Sequence, residues 1–242
     1  MEIALPHHSI PQECSFRLWR KARRMSQLSG LRLALSAAIL AIGFTTAGRA
    51  KDMDKTPAFS EQALQAKIQY CNDCHQPLGQ GYLGATPIPR LAGQQPEYFK
   101  DQLKAFIDRG RVSFYMFKVA HSLNPAMLSA LATHFKDLDP KPLGGAPKQF
   151  VSAGKKIFEE GVPADKVPPC STCHGKEAKG NGPIPRLAGQ LYPYTINTLT
   201  NWDNERAHGK AVSPESAVMG PIAHRLTESQ IRAVAAYLSY LE

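Results

Sequence analysis

The sequence predicts an all-α chain in which one small helical unit occurs twice. Three observations carry this. The heptapeptide Ile88-Pro89-Arg90-Leu91-Ala92-Gly93-Gln94 recurs unchanged as Ile184-Pro185-Arg186-Leu187-Ala188-Gly189-Gln190. Each copy is preceded by a cysteine pair of the same spacing, with a histidine directly after it. Apolar residues recur along the chain at helical spacing, and no alternating strand pattern competes with them.

Residues 1–50 read as an address. Arg17, Arg20, Lys21, Arg23 and Arg24 form a basic region, Leu33 to Phe44 is mostly apolar, and small residues follow up to Ala50. That order is a cleaved secretory signal peptide. The apolar run is shorter than the roughly 20 residues of a spanning helix, so an uncleaved membrane anchor is the lesser alternative. Met25 offers a second start with a more ordinary leader.

The remaining elements follow in order. A helix is expected at about Ser60 to Tyr70, ahead of Cys71, and a middle helix from Pro96 to Arg109 buries Phe99, Leu103 and Phe106. Asn124 is a good N-cap and Pro125 suits the first helical position, after which Leu128, Leu131, Ala132 and Phe135 mark one face. Asp139 to Pro147 is rich in proline and glycine and suits a semi-extended linker. A helix at about Phe150 to Glu160 opens the second copy. In the terminal helix Thr227 and Gln230 form a capping box, and Ile231, Val234, Ala235 and Leu238 make the apolar face. Met116 to Phe135 aligns without gaps on Met219 to Leu238. The organisation expected is a signal peptide at 1–50, a first domain at 51–138, a linker at 139–148 and a second domain at 149–242.

Composition narrows the function. The formal charge of +9 in 242 residues is concentrated at the start: residues 1–50 hold seven Lys or Arg against two acids, leaving 22 against 18 for the rest. No basic stripe remains, so a nucleic-acid partner is not expected.

The chemistry lies in Cys71-Asn72-Asp73-Cys74-His75 and Cys170-Ser171-Thr172-Cys173-His174. Positions i, i+3 and i+4 of a helical turn share a face, so two thiols can reach the vinyl groups of a haem while the imidazole lies under its iron. Structural zinc wants a second cysteine pair about 15–20 residues on, and these pairs are much farther apart. A thioredoxin-like dithiol needs a strand before it, which is missing here, and does not require the histidine.

On these motifs both halves resemble class I cytochrome c domains, and the tandem resembles the diheme cytochrome c4 family, over about Phe59 to Leu241. The resemblance implies two covalently attached haem c groups, held through Cys71 and Cys74 and through Cys170 and Cys173. It implies His75 and His174 as proximal iron ligands, Met116 and Met219 as distal ligands, and Pro89 and Pro185 as carbonyls that orient the imidazoles.

Met116 and Met219 are the methionines that recur in register; core packing is the alternative for both. Met219-Gly220-Pro221 fits the family pattern, whereas Tyr115-Met116-Phe117 lacks the Gly and Pro, which leaves the first ligand-bearing loop less secure. His121 and His224 also recur, as alternative distal ligands, helix caps or propionate contacts. Arg90, Arg186, Tyr98 and Tyr194 recur near the motifs and suit propionates or the repeat fold equally. His134 and His208 have no counterpart and read as surface residues.

Histidine and thioether together fill both axial positions of an iron, which suits a one-electron carrier with no catalytic residues. The expectation is a periplasmic protein that moves electrons from a respiratory donor to an acceptor such as a terminal oxidase. Its partners would be redox proteins: a membrane cytochrome complex, an oxidase or a dehydrogenase. Peripheral membrane association and a monomeric or dimeric state are both open. The alternatives are the cytochrome subunit of a periplasmic dehydrogenase and a diheme peroxidase with a displaceable ligand at Met116.

Overall fold

Helices account for the regular structure of the computed structural model, which describes residues 59–206 and 214–242. The leader, Met53 and His208 lie outside the described residues. Among those described there is no sheet, only three isolated bridges: Tyr82 with Ile88, Val162 with Val167, and Asn181 with Ile184.

The first half holds α1 (Glu61–His75), α2 (Pro96–Ile107), α3 (Phe114–His121) and α4 (Pro125–Lys136). Ser60 caps α1 by accepting from the Ala63 N–H, and Asn124 caps α4 by accepting from Met127 at 2.8 Å. Such side chains satisfy backbone donors that a helix start leaves without partners. Ile68 of α1, Phe99, Leu103 and Phe106 of α2 and Leu128, Leu131 and Phe135 of α4 close one core. Phe135 is fully buried and stacks on Phe99 with ring centroids 5.7 Å apart.

Residues 138–147 carry no helix. The second half follows with α5 (Val151–Glu160), α6 (Ser171–His174), α7 (Tyr192–Thr200), α8 (Trp202–Arg206), α9 (Pro214–Arg225) and α10 (Glu228–Leu238). Thr227 and Gln230 make the reciprocal capping box of α10. Phe158, Ala188, Val234 and Leu238 form a second core. Here α5 crosses α10 closely at Gly154, where any Cβ would overlap the Ala233 carbonyl.

Two readings of local structure change. The first cysteine pair lies inside a helix, because α1 continues past Tyr70 through Cys71 and Cys74 to His75. Nothing breaks it until Gln76 turns to φ +70°, just before Pro77. In the second half Gly161 ends α5 at φ +73°, prolines 163, 168 and 169 follow, and the motif sits on the separate short α6. Met116 and Met219 lie on helices rather than loops: Ser113 caps α3 by accepting from the Met116 N–H, and α9 runs through Pro221.

The two copies of the heptapeptide meet face to face. Gln94 accepts from the Arg186 N–H at 2.8 Å and donates to the Arg186 carbonyl at 3.1 Å. Gln190 does the same to Arg90, at 2.9 Å and 3.1 Å. Each heptapeptide is also anchored to the last helix of its own half, by Gly93 N–H to Phe135 O at 2.8 Å and Gly189 N–H to Leu238 O at 2.9 Å. Gly93 has φ +72°, and a Cβ there would lie 3.0 Å from Arg186 Nη1, so glycine meets both the backbone and the space requirement.

Candidate functional site

In each half a buried imidazole is tied to a proline carbonyl of the heptapeptide. His75 Nδ1 donates to Pro89 O at 2.8 Å, and His174 Nδ1 donates to Pro185 O at 3.0 Å. A carbonyl only accepts, so Nδ1 carries a hydrogen and Nε2 is the nitrogen left for another partner. Burial holds both imidazoles below the ordinary histidine pKa, against the opposing effect of the carbonyl; Arg111 adds to the lowering at His75. Each ring is therefore held in a fixed orientation in surroundings that favour its neutral form, the form in which histidine binds a metal.

The backbone between motif and heptapeptide folds equivalently in both halves although the loops differ in length. The His75 carbonyl accepts from Gly81 N at 3.0 Å and the His174 carbonyl from Gly180 N at 2.9 Å. Leu91 N–H reaches Gly79 O, and Leu187 N–H reaches Ala178 O, each at 2.7 Å. This frame, with the proline's restricted φ, sets where each carbonyl points.

None of the four motif cysteines is joined in a disulfide. Cys71 packs against the first core and Cys170 against the second, and burial pushes both thiols up to about 11. Redox-active cysteines have lowered values, so dithiol exchange does not suit these positions. Among the described residues there is no group of three or more His, Cys, Asp or Glu that could hold a metal ion.

Met116 is partly buried and packs against the same core as Cys71. Met219 is also partly buried, next to Gly220, which faces the Trp202 indole. The repeated histidines have surface partners: His121 Nδ1 bonds Phe117 O of its own helix at 2.9 Å, and His224 Nε2 lies 2.9 Å from an Asp203 carboxylate oxygen. Met127 is buried in the first core, and His134, partly buried, stands edge-on to Phe135.

The recurring arginines and tyrosines converge where the halves meet. Arg90 and Arg186, both buried, each approach the Asp139 carboxylate. Arg206 of α8, also buried, bonds Tyr98 and Gln102 of α2 and Tyr194 of α7, while Arg111 donates to Tyr194 at 2.6 Å and to Gln102 at 2.9 Å. Burial alone would raise the Tyr194 phenol; the guanidiniums of Arg111 and Arg206 hold it below its ordinary value instead. Arg90 Nη1 and Arg206 Nε are buried without a partner. Buried cationic N–H groups in that condition call for an anion.

Gln94, Gln190, Asp139, Arg111 and Arg206 are the residues that sequence reasoning missed. The two glutamines carried a signal, since they close a heptapeptide repeated in full. Arg206 carried none, having no counterpart in the repeat.

The donor set of each half is thus a thiol pair and a neutral imidazole, beside a cationic seam. It fits a covalently held haem, whose carboxylate side groups suit the unpaired guanidinium hydrogens.

Known proteins agree with this chemistry. The family model described as Cytochrome c matches residues 151–242. Cytochrome c-552 of Acidithiobacillus ferridurans is 40% identical over 176 residues, covering 71% of this chain and 73% of that protein. A thiosulfate dehydrogenase electron acceptor of Thiomonas intermedia (strain K12) is 33% identical over 174 residues, 70% of this chain and 77% of that one. The solved structure of Acidithiobacillus ferrooxidans cytochrome c4 matches with a TM-score of 0.59 and 36% identity, covering 72% of this chain and 99% of the other.

Proposed function

The chain belongs to the cytochrome c4 family of diheme c-type cytochromes, and from that membership we propose that it works in the periplasm, carrying single electrons from a respiratory donor to a terminal acceptor such as an oxidase. It is an electron carrier with two covalently attached haem c groups. Cys71 and Cys74 would hold one group and Cys170 and Cys173 the other; His75 with Met116, and His174 with Met219, would ligate the two irons. The observation that carries this assignment is the matched pair of imidazole–proline hydrogen bonds, 2.8 Å and 3.0 Å long in two halves of different loop length.

Bound haem c would supply a one-electron iron couple, and thioether ligation by Met116 or Met219 together with imidazole would favour the ferrous state. The chain does the rest. Pro89 and Pro185 fix tautomer and ring angle, so neither imidazole reorients between oxidation states. The cores around Phe135 and Phe158 keep water from the buried side of each motif. Arg90, Arg186 and the Arg206 cluster would receive the carboxylate side groups of the haem.

Similarity to a protein named thiosulfate dehydrogenase electron acceptor supports a second reading, a periplasmic dehydrogenase as the donor. Among the described residues no helix is long and apolar enough to cross a membrane, which is compatible with a carrier free to meet such partners.

The test is an equilibrium redox titration of the exported holoprotein, with N-terminal sequencing and mixing against a purified dehydrogenase or oxidase. Two reversible one-electron couples, a start near Lys51 and rapid transfer to or from either partner are expected. A single couple, or full-length protein found only in membranes, would overturn the respective part of the proposal.

A further inference from the structure

The carbonyl that holds each ligand histidine shares a peptide group with an N–H that faces the other half. Pro89 O accepts from His75 Nδ1, and the nitrogen of that same peptide, Arg90 N, donates to Gln190 Oε1 at 2.9 Å. Pro185 O accepts from His174 Nδ1, and Arg186 N donates to Gln94 Oε1 at 2.8 Å. The orientation of both glutamine amides is forced, because an arginine N–H can only donate and the arginine carbonyl, bonded by each Nε2 at 3.1 Å, can only accept. Gln94 and Gln190 are both buried, as are Arg90 and Arg186, so these bonds work in a medium of low dielectric.

A peptide group is conjugated. When its N–H donates, electron density moves toward its oxygen, and successive bonds in such a chain strengthen one another by roughly 10–30%. We infer that Gln190 and Gln94 are positioning residues that act across the seam, each setting the grip of a proline carbonyl on the histidine ligand of the opposite half. This rests on the assignment of His75 and His174 as iron ligands. A stronger acceptor at Nδ1–H makes the imidazole a better donor, stabilises ferric iron and lowers the potential. The control is crossed: the first half is tuned by a side chain of the second, and the second by a side chain of the first. The repeat explains itself in these terms, since each heptapeptide carries the carbonyl that is polarised and the amide that polarises its counterpart.

The test uses full-length protein with both haems and the substitutions Gln190→Leu, Gln94→Leu and Gln190→Glu. The readouts are the two potentials and the hyperfine-shifted Nδ1–H signals of ferric His75 and His174, assigned to each half with Met116→His and Met219→His. Gln190→Leu is expected to raise the potential of the first half and move the His75 signal more than that of His174. Gln94→Leu gives the mirror image. Gln190→Glu keeps a stronger acceptor and moves the first half the opposite way, whereas a merely loosened seam moves both Gln190 substitutions in one direction. Shifts confined to the substituted half, equal shifts in both halves, or none would overturn the inference. A wild-type protein whose His75 or His174 signal lacks a hyperfine shift would instead overturn the ligand assignment itself.

Discussion

Arg90 and Arg186, from opposite halves, place their Nη2 atoms at the same distance, 3.4 Å, from the same oxygen of Asp139. Burial lowers the pKa of both guanidiniums, Arg186 lowers that of Arg90 further, and the Asp139 carboxylate partly restores each. One linker carboxylate thus mediates between two like charges that the fold brings together.

Asp139→Asn should destabilise the holoprotein modestly. The carboxylate is 68% exposed, and water screens most of its attraction, so about 1 kcal/mol is expected. Denaturant unfolding at low and high salt checks this; the loss should shrink as salt rises.

Gly93→Ala should cost more than Gly145→Ala. Both glycines have positive φ, worth roughly 1–3 kcal/mol of backbone strain to any other residue. A Cβ at Gly145 meets only Leu83 Cδ1 at 3.9 Å, whereas at Gly93 it meets three Arg186 side-chain atoms within 3.2 Å. Thermal unfolding of the two variants side by side measures the difference, and equal losses would mean that Arg186 simply moves aside.

Met219→His should keep its haem attached, lose the sulfur-to-iron charge-transfer band and lower the potential of the second half. Met116→His should do the same in the first half, because imidazole favours ferric iron more than thioether does. An unchanged spectrum would mark that methionine as core packing.

Replacing Cys71 and Cys74 together by alanine should reduce the mass by one haem beyond the side-chain change and leave the second half loaded. Replacing Cys170 and Cys173 should do the converse. Intact-mass measurement after expression with the cytochrome c maturation machinery decides.

If His75 with Met116 and His174 with Met219 ligate the irons as proposed, the ferrous protein should not bind carbon monoxide at neutral pH, and peroxide turnover should stay at the level of a simple monohaem carrier. Stoichiometric binding of carbon monoxide at one haem would point to a displaceable ligand, and loss of that binding on altering the first half would locate it at Met116.

Much of the fold is legible in the sequence. The caps Asn124 and Thr227, and the buried faces of α4 and α10, follow from local chemistry that acts within one helical turn. The imidazole–proline pairs lie 14 and 11 residues apart in sequence, and only the resemblance carried them, since spacing alone does not say which carbonyl a ring will meet. The extension of α1 to His75 was available in the lack of any breaker before Pro77. The helices under Met116 and Met219 were obscured differently: α3 has only eight residues, and Pro221 lies inside α9, where the missing N–H normally argues against a helix. The seam was the least accessible part. Gln94 finds Arg186 at 92 residues' distance and Arg206 finds Tyr98 at 108, and no local pattern specifies partners so far apart.

The pairing of the two heptapeptides has the form of an isologous contact: what the first copy does to the second, the second does to the first. Two separate copies of one such half could make that contact only as a symmetric homodimer. Joining them in one polypeptide makes association intramolecular and independent of concentration, and frees the copies to diverge. Their freedom is unequal. A change in a connecting loop concerns one half, but loss of Gln94 or Gln190 strips the Arg186 or Arg90 backbone of the other half of two hydrogen bonds, so each half leans on a side chain of its counterpart.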